Sequence, residues 1–261
     1  MKGINYYIID AFAEKLFSGN PAGVCLLDEW FNDEVMQNIA MENNLAETAF
    51  IVKRDNHYDL RWFTPNVEID LCGHATLASA FVVTNFLDIG ISEMDFHTKS
   101  GVLSVKKVDD SFEMDFPSRM PEKIDVTPLM ERAVGVTARE AYMSRDMLLL
   151  LDNEHQVKNL QPDLNLVADL PDCLGLIVTA KGDSVDFISR FFAPNAGVPE
   201  DPVTGSAHST LIPFWAQRLD KDNMVAKQLS KRGGTLYCQN CGDRVKMAGQ
   251  AILYLQGKIM L

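Results

Sequence analysis

The stretch EDPVTGSAHSTL, residues 200–211, places an acid and a proline before a Gly-Ser step that opens an apolar run. A similar stretch, EIDLCGHATLASAF, occupies residues 68–81, about half a chain earlier. Both are typical of a loop that enters a helix at small residues. Such a helix start leaves backbone N–H groups without a partner, and the helix dipole favours a negative charge there. We therefore expect two helix N-termini that suit an anion.

The segments that precede these two stretches also match each other. RWFTPN, residues 61–66, corresponds to RFFAPN, residues 190–195, and each leads through an acid-bearing loop to Gly-His-Ala or Gly-Ser-Ala. Since order and spacing agree, an internal duplication is favoured over coincidence. If the two halves share a fold and face each other, the two helix starts meet at a seam, where small ligands commonly bind. The alternative is that the small residues only let each helix pack closely on a sheet.

Short strands and helices alternate along the chain, which predicts an α/β (α+β) fold. Strands are predicted at residues 5–12, 23–27, 48–52, 58–63, 94–97, 102–108, 111–116, 142–144, 147–151, 175–179 and 186–192. Helices are predicted at residues 32–43, from residue 73 to about 85, at 127–135 and at 164–170. We expect a first half of residues 1–117, with a possible return of the C-terminal strand, and a second half of residues 118–261.

Composition and charge exclude several classes of protein. The chain has 261 residues, 47% of them apolar, which permits one large domain or two smaller ones. A net charge of −12 argues against nucleic acid or an anionic membrane surface as a partner. The apolar runs are too short to span a bilayer, and the N-terminus has no signal-peptide layout. Five cysteines without framework spacing fit a reducing compartment, so we expect a cytoplasmic protein.

Glu47 is the first candidate catalytic residue. It lies in NNLAETAF, among apolar neighbours, at a predicted helix-to-strand junction where a side chain can point into a cleft. Desolvation there would suit a carboxylate to accept and return a proton near neutral pH. The second half carries no equivalent acid, an asymmetry that catalysis could use. The alternative is a surface glutamate at a strand edge.

Three further polar residues flank the predicted helix starts. Asp201 precedes a proline that restricts its backbone, so it either takes part in catalysis or caps the helix. His74 and Ser206 occupy corresponding positions after a glycine, where they could bind a carboxylate or hydroxyl or transfer a proton. The predicted substrate-binding residues are Asn20, Gly73, Ala75, Thr204, Gly205 and Ala207.

The spacing of cysteine and histidine argues against metal or two-thiol chemistry. Cys72 corresponds to Thr204, so the two facing thiols that a two-base racemisation would use are not available. Cys238 and Cys241 form a single CxxC, which favours a hairpin turn over a zinc site. The histidines show no spacing such as HExxH, and no GxGxxG or GxxxxGK[ST] motif supports nucleotide binding. We predict no metal and no cofactor.

Taken together, the motifs resemble the PhzF-like family of phenazine-biosynthesis-type isomerases, within the diaminopimelate epimerase superfamily. The matching segments are FSGNPAGV (17–24), LAETAF (45–50), RWFTPNVEIDLCGHATLA (61–78), RFFAPNAGVPEDPVTGSAH (190–208) and GGTLYCQNCGDRVKMAGQAILYLQG (233–257). The resemblance implies two similar halves, each a curved, mostly antiparallel sheet wrapped around a central helix, with the active site at the seam. It also implies a homodimer that acts on a small-molecule carboxylate without cofactor or metal.

The resemblance further implies that Glu47 is the general acid/base, assisted by Asp201, His74 and Ser206. The reaction implied is the movement of a proton between carbons of a small unsaturated or cyclic acid. Two alternatives stay open. In a proline-racemase-like dehydratase or epimerase, Cys72 would take the proton. A non-catalytic protein would keep the fold to bind a small acid or a protein partner.

Overall fold

The computed structural model describes residues 3–261 of the chain. These residues divide into two compact units. Unit 1 comprises the chain up to Asp115 together with Ala248–Leu261, and unit 2 comprises Phe116–Met247. The C-terminal strand, Arg244–Met260, therefore begins in unit 2 and ends in unit 1. Within residues 3–261 no helix is long and apolar enough to cross a membrane.

Unit 1 is built mainly from strands. The strands are β1 (Gly3–Ala11), β2 (Asn20–Leu27), β3 (Glu47–Lys53), β4 (Tyr58–Phe63), β5 (Glu68–Ile69), β6 (Glu93–Thr98), β7 (Gly101–Val108) and β8 (Ser111–Pro117), which ends just inside unit 2. The helices are α1 (Asp33–Asn43) and α2 (Gly73–Val82), and α2 continues as a π-helical turn, Val83–Leu87.

Antiparallel pairs predominate among the strands of unit 1. β1 pairs antiparallel with β2 and with the C-terminal strand, and β3 pairs antiparallel with β4. β4 pairs antiparallel with β5, and β6, β7 and β8 form an antiparallel run. The parallel pairs are β2 with β3 and β4 with β6. Helix α2 packs on β1, β2 and β3 with almost all of its side chains buried, so it is the central helix of this unit.

Small side chains explain how α2 can be buried against strands. Ala75, Ala78 and Ala80 are fully buried and allow the helix backbone to approach the sheet closely. The hydroxyls of Thr76 and Ser79 donate to carbonyls one turn back along the helix, at distances of 2.6 and 2.7 Å. Buried polar side chains are therefore hydrogen-bonded within the helix, which removes the free-energy cost of burying them alone.

Unit 2 repeats the mixture of strands and short helices. Its strands are β9 (Glu122–Ile124), β10 (Glu140–Met143), β11 (Met147–Leu150), β12 (Leu176–Lys181), β13 (Phe187–Ala193), β14 (Val198–Asp201), β15 (Asn223–Gln228), β16 (Gly234–Cys241) and the beginning of β17 (Arg244–Met260). Its helices are α3 (Pro128–Val134), α4 (Glu154–Asn159), α5 (Leu164–Ala168) and α6 (Gly205–Leu219), with a 3-10 turn at Pro194–Ala196.

The strand pairings of unit 2 follow the same order and senses as those of unit 1. β10 pairs antiparallel with β9 and β11, and β11 pairs parallel with β12. β12 pairs antiparallel with β13, which pairs antiparallel with the short β14 and parallel with β15. β15 pairs antiparallel with β16. Helix α6 is the longest helix of this unit and packs on β15 and β16 with most of its residues buried.

Each unit has an apolar core of its own. In unit 1, Met36 of α1 packs with Phe50 and Phe63, whose rings meet edge to face with centroids 5.4 Å apart. In unit 2, one cluster joins α3, α4 and α5 to β11–β13 and includes Leu149 and Val157. Burying each such side chain contributes about 1.5–3 kcal/mol, so these clusters are a main source of stability in each unit.

The matched RWFTPN and RFFAPN segments carry equivalent ion pairs. Arg61 binds both carboxylate oxygens of Glu68, with N–O distances of 2.7 and 2.8 Å. Arg190 binds both carboxylate oxygens of Glu200, with N–O distances of 2.6 and 3.0 Å. Each pair ties β4 or β13 to the strand that follows it, and so orients the loop that leads into α2 or α6.

The structure departs from the sequence-based expectations at short or irregular elements, and also after residue 192, where β15, β16 and β17 were not among the strands predicted from local patterns. Helix α2 stops at Val82 rather than near residue 85, because the chain widens into a π turn. That turn is held by the Asp88 N–H, which donates to the Val83 carbonyl at 2.8 Å, and by Thr84 Oγ1, which donates to the Ile91 carbonyl. Helix α4 was not expected, since its six residues are too few to show a helical apolar period.

Candidate active site

The two helices whose starts were predicted from small residues begin as expected. α2 begins at Gly73 after the extended residue Cys72, and α6 begins at Gly205 after the extended residue Thr204. In the described part of the chain, neither N-cap side chain makes a capping hydrogen bond to its helix. Both ends therefore keep the positive end of a helix dipole available to a negative group.

Glu47 and Asn20 are brought to one edge of unit 1 by two parallel strands. Glu47 is the first residue of β3 and pairs with Ala22 of β2, and Asn20 is the first residue of β2. Asn44 caps the C-terminus of helix α1, and its left-handed backbone (φ 49°) turns the chain towards β3. Because β2 and β3 start side by side, their first side chains lie near the same end of the sheet.

His74 connects these residues to the start of α2. Its Nε2 lies 3.0 Å from Oε2 of Glu47, and the side chains of His74 and Glu47 are 7% and 14% exposed. On the other side of the ring, Nδ1 lies 3.3 Å from Nδ2 of Asn20 and 3.5 Å from Sγ of Cys72. When the amide nitrogen of Asn20 donates to Nδ1, the proton of the neutral ring resides on Nε2, facing the carboxylate. The arrangement places one proton between Glu47 and His74.

Burial and the neighbouring charges shift the pKa of His74 in opposite directions. Burial lowers the pKa of His74, but the neighbouring Cys72 and Glu47 outweigh burial and raise this pKa well above its ordinary value. Burial raises the pKa of the Cys72 thiol, and the charge of Glu47 raises it further, more than His74 lowers it. Both shifts favour a proton on Nε2 of His74, facing Glu47, and a neutral thiol at Cys72.

Glu47, Cys72 and His74 also carry atoms of the types that bind metals. One potential ligand atom of each lies within 4.8 Å of the other two. However, Cys72 contacts Nδ1 of His74 whereas Glu47 faces Nε2. An imidazole nitrogen binds a metal along its own lone pair, so these contacts place histidine between the other two rather than all three around one point. The absence of a metal stays a prediction.

Asp201 lies in a hydrogen-bonded network in unit 2. Oγ1 of Thr204 donates to Oδ2 of Asp201 at 2.5 Å. The amide nitrogen of Gln228 donates to the Asp201 carbonyl at 2.7 Å, and the amide oxygen of Gln228 accepts from the Thr204 N–H at 2.9 Å. The network fixes the loop before α6. The role of Asp201 as an aid to catalysis stays a prediction.

Ser206 is held by an arginine that sequence reasoning missed. Nη2 of Arg145 donates to Oγ of Ser206 at 2.9 Å and to Oδ2 of Asp146 at 2.6 Å. Asp146 is 1% exposed, so its charge is balanced mainly through this arginine. The turn between β10 and β11 that supplies Arg145 carries a signal, Arg-Asp before an apolar strand, but nothing in the sequence links it to α6. Gln228 was missed for the same reason.

Within each unit, the structure brings most of the predicted site residues together. In unit 1, Glu47, His74 and Asn20 are in contact through the imidazole ring, and Gly73 and Ala75 occupy the first turn of the same helix. The unit 2 residues Asp201, Thr204, Gly205, Ser206 and Ala207 lie at or next to the start of α6. That the residues around His74 and those at the start of α6 act on the same substrate stays a prediction. Cys238 and Cys241, by contrast, lie at the end of β16, buried and exposed respectively, as expected of a hairpin.

Comparison with known proteins identifies relatives along almost the whole chain. The model of the phenazine biosynthesis-like (PhzC-PhzF) family matches residues 9–257. An uncharacterized isomerase of Pseudomonas aeruginosa is 48% identical over 258 residues, 99% of each chain. The crystal structure of a phenazine biosynthesis protein of the PhzF family from Enterococcus faecalis covers 100% of both chains, with a TM-score of 0.98 and 48% identity.

A more distant structure shows the same fold. A protein of Pseudomonas aeruginosa described as a predicted epimerase has a TM-score of 0.79 and 19% identity, covering 99% of both chains. At that identity the likeness concerns the mixed α/β fold alone. The end-to-end match to the family model, together with relatives at nearly half identity, is decisive for classification: the chain belongs to the phenazine biosynthesis-like, or PhzC-PhzF, family.

Proposed function

We propose that this protein is a cofactor-independent isomerase that moves a proton between carbons of a small unsaturated or cyclic carboxylic acid, with Glu47 as the general acid/base. The observation that carries the proposal is the 3.0 Å approach of Oε2 of Glu47 to Nε2 of His74, two largely buried side chains beside the start of α2. The isomerase names of its relatives support the same class of reaction.

The chemistry needs one base that takes a proton from carbon and returns it elsewhere. Glu47 removes the proton as the C–H bond breaks, and the electron pair moves into the conjugated system of the substrate. The same carboxyl group then delivers the proton to a second carbon, so atoms and electrons balance without a redox partner. His74 presents Nε2 to Glu47 at 3.0 Å, and the N-terminus of α2 favours the negative charge that develops on the substrate.

The start of α6 carries the remaining predicted site residues. In this proposal Ser206 and the N–H groups of Gly205 and Ala207 bind the substrate carboxylate, and Asp201 and Thr204 keep the loop in place. Arg145 positions Ser206. We also propose that the two units arose by internal duplication, because their strands pair in the same order and senses and their matched arginines bind the matched glutamates.

The alternative chemistry, in which Cys72 takes the proton, is less well supported. A thiol must ionise to act as a base, and burial together with the nearby Glu47 raises the pKa of Cys72. A purely binding role is also less well supported, because burying a charged pair costs stability that a binding protein could avoid with apolar residues. The cytoplasmic location and the homodimer remain predictions.

Proton NMR in D2O tests the proposal on a panel of small cyclic and unsaturated amino and hydroxy acids. We expect the wild type to incorporate deuterium into at least one compound, or to isomerise it, and Glu47→Gln to lose this activity. Circular dichroism of Glu47→Gln shows whether the variant is folded. Retention of full exchange in folded Glu47→Gln would contradict the proposal.

A further inference from the structure

A second group of potential ligands lies in unit 1, where β4 runs parallel to β6. In this pair Tyr58 is opposite Phe96, and Asp59 is opposite His97. Side chains alternate between the two faces of a strand, so Tyr58 and Phe96 point to the core, where both are buried. Asp59 and His97 therefore share the outer face. His57, two residues before Asp59, lies on that face as well.

Distances confirm that the three side chains converge. Nε2 of His57 lies 3.2 Å from Oδ1 of Asp59, and the imidazole rings of His57 and His97 stack with centroids 3.7 Å apart. One potential ligand atom from each of His57, Asp59 and His97 lies within 4.8 Å of the other two. A neutral imidazole offers one nitrogen lone pair to a metal, and this lone pair lies in the plane of the ring.

The carboxylate of Asp59 accepts a hydrogen bond that orients it, as metal-binding carboxylates commonly do. Nε of Arg54 donates to Oδ2 of Asp59 at 2.7 Å, which leaves Oδ1 directed towards His57. The Arg54 N–H also donates to the His57 carbonyl at 2.9 Å, which fixes the turn that carries His57. Hydrogen bonds to a ligating carboxylate orient it towards the ion. The charge of Arg54 opposes a cation, so affinity should be lower than in a site without an adjacent arginine.

We propose that His57, Asp59 and His97 bind a divalent transition-metal ion, with Zn²⁺ as the representative. Two imidazole nitrogens and one carboxylate oxygen suit Zn²⁺, at distances of about 2.0–2.2 Å, and leave the fourth tetrahedral position to water. Ca²⁺ and Mg²⁺ require more oxygen ligands than the group offers. The stacked rings hold their lone pairs in nearly parallel planes, so binding requires the half-buried His57 and the exposed His97 to rotate until one nitrogen of each points at the ion. The site is separate from the Glu47 and His74 pair and does not depend on the proposed reaction.

The ion would link β4 and β6, which pair over only a short length. β4 and β6 are joined through two register pairs, while β6 and β7 share six. A metal bound by side chains from both strands stabilises the folded chain, because an ion that binds the native state preferentially shifts the unfolding equilibrium. The inferred role is structural, at the point where the β3–β4 hairpin meets the β6–β8 run.

Calorimetric titration of the EDTA-treated full chain with ZnCl2 tests the site, with thermal melting as a second readout. We expect one Zn²⁺ to bind and the melting temperature to rise with Zn²⁺ concentration. His97→Gln and His57→Gln should each weaken Zn²⁺ binding at least about tenfold. Losing a direct ligand weakens binding more than losing a residue that only hydrogen-bonds to a ligand. Both residues lie on the outer face, so the variants should fold.

The matched control is His155→Gln, which changes an exposed histidine of α4. It should bind Zn²⁺ as the wild type does. A second control, Cys72→Ser, removes a potential ligand from the other candidate group, Glu47, Cys72 and His74, and should leave Zn²⁺ binding unchanged. The proposal is overturned if the wild type binds no Zn²⁺, if His57→Gln and His97→Gln bind it normally, or if Cys72→Ser abolishes binding.

Discussion

The start of α2 in unit 1 and the start of α6 in unit 2 share a backbone design but carry different chemistry. Each follows an extended residue, begins at a glycine, and has a side chain one turn on that donates to the carbonyl of the N-cap residue. Thr76 donates to Cys72 at 2.6 Å, and Nδ1 of His208 donates to Thr204 at 2.8 Å. After the glycine, however, unit 1 has His74 and unit 2 has Ser206.

We propose that this difference separates a proton-transfer site at the start of α2 from a fixed polar site at the start of α6. Glu47 faces a titratable partner, His74, so a proton can move between them. Asp146 is held by the guanidinium of Arg145, which stays charged at any physiological pH. Asp201 accepts from the hydroxyl of Thr204. Two helix starts with the same backbone design can thus differ in chemistry, and we propose that the start of α2 alone carries an acid/base pair.

The largest expected effect comes from removing the acid in unit 1. Glu47→Gln keeps the size of the side chain but cannot take a proton, so kcat should fall by about 10²–10⁴-fold, with a small change in KM. Steady-state kinetics on the compound identified by deuterium exchange measures this. Glu42→Gln, on the exposed face of α1, is the matched control and should leave kcat unchanged. A similar kcat for both variants would remove the functional distinction between the two helix starts.

The two matched arginines should differ in their effect on stability. Besides Glu200, Arg190 donates to the carbonyls of Val157 and Leu160 at the end of α4, at 3.2 and 2.7 Å. Its side chain is 11% exposed, against 18% for Arg61. Arg190→Met should therefore lower the free energy of unfolding by about 3–4 kcal/mol.

Arg61→Met serves as the comparison and should cost about 1–2 kcal/mol, since Arg61 is itself more exposed and its second partner is Asp33, which is 75% exposed, rather than buried carbonyls. Urea denaturation followed by circular dichroism measures both. If Arg190→Met and Arg61→Met lower the free energy of unfolding equally, the hydrogen bonds from Arg190 to the carbonyls at the end of α4 do not add to stability.

His208 should make the stability of the chain depend on pH. Burial lowers the pKa of His208 to about 4, although the Thr204 carbonyl partly opposes this. In the unfolded chain the pKa is about 6.5. Between these values the unfolded state binds the proton and the folded state does not, so stability is present above pH 6.5 and is lost as pH falls towards 4.

The contribution amounts to about 2–3 kcal/mol over that range. Urea denaturation at several pH values should show the slope in wild type and a smaller slope in His208→Gln. The position that corresponds to His208 in unit 1 is Thr76, which has no such titration. His155→Gln is the control and should keep the slope. An unchanged slope in His208→Gln would contradict the prediction.

The smallest expected effect tests whether the start of α6 takes part in binding. Arg145→Lys keeps a positive charge beside Asp146 but loses the planar fork that also reaches Ser206. We expect KM to rise by up to about tenfold, with kcat largely unchanged, because a positioning contact is lost rather than the base. Arg139→Lys, an exposed arginine, is the control. A fall in kcat equal to that of Glu47→Gln would make Arg145 part of the acid/base chemistry.

Sequence reasoning reached the helix starts and the acid because these depend on local signals. Gly73 and Gly205 mark helix starts by residue type, and Glu47 follows a helix that Asn32 caps and Asn44 ends. The 3.0 Å contact between Glu47 and His74 was not predictable from spacing, because it depends on how β3 pairs with β2. Pairing across long chain separations is set by the whole fold.

The dependence on contacts between distant parts of the chain also explains why sequence reasoning missed Arg145 and the pair of His57 and His97. Arg145 reaches Ser206 across sixty-one positions of the sequence, and no local pattern links the two residues. His57 and His97 lack a ligand motif in the sequence, yet the parallel pairing of β4 with β6 places them together. Residues that share a face through strand pairing are therefore the part of the chemistry that requires a structure.

The choice between Glu47 and Cys72 as the proton-accepting group is tested by deuterium exchange on one substrate in D2O. Wild type, Glu47→Gln and Cys72→Ser are compared under identical conditions by proton NMR. We predict that Cys72→Ser retains exchange within a few-fold of wild type, because a buried neutral thiol is not the base, and that Glu47→Gln loses it. Exchange that survives in Glu47→Gln and disappears in Cys72→Ser would contradict this mechanism and assign the base to the thiol.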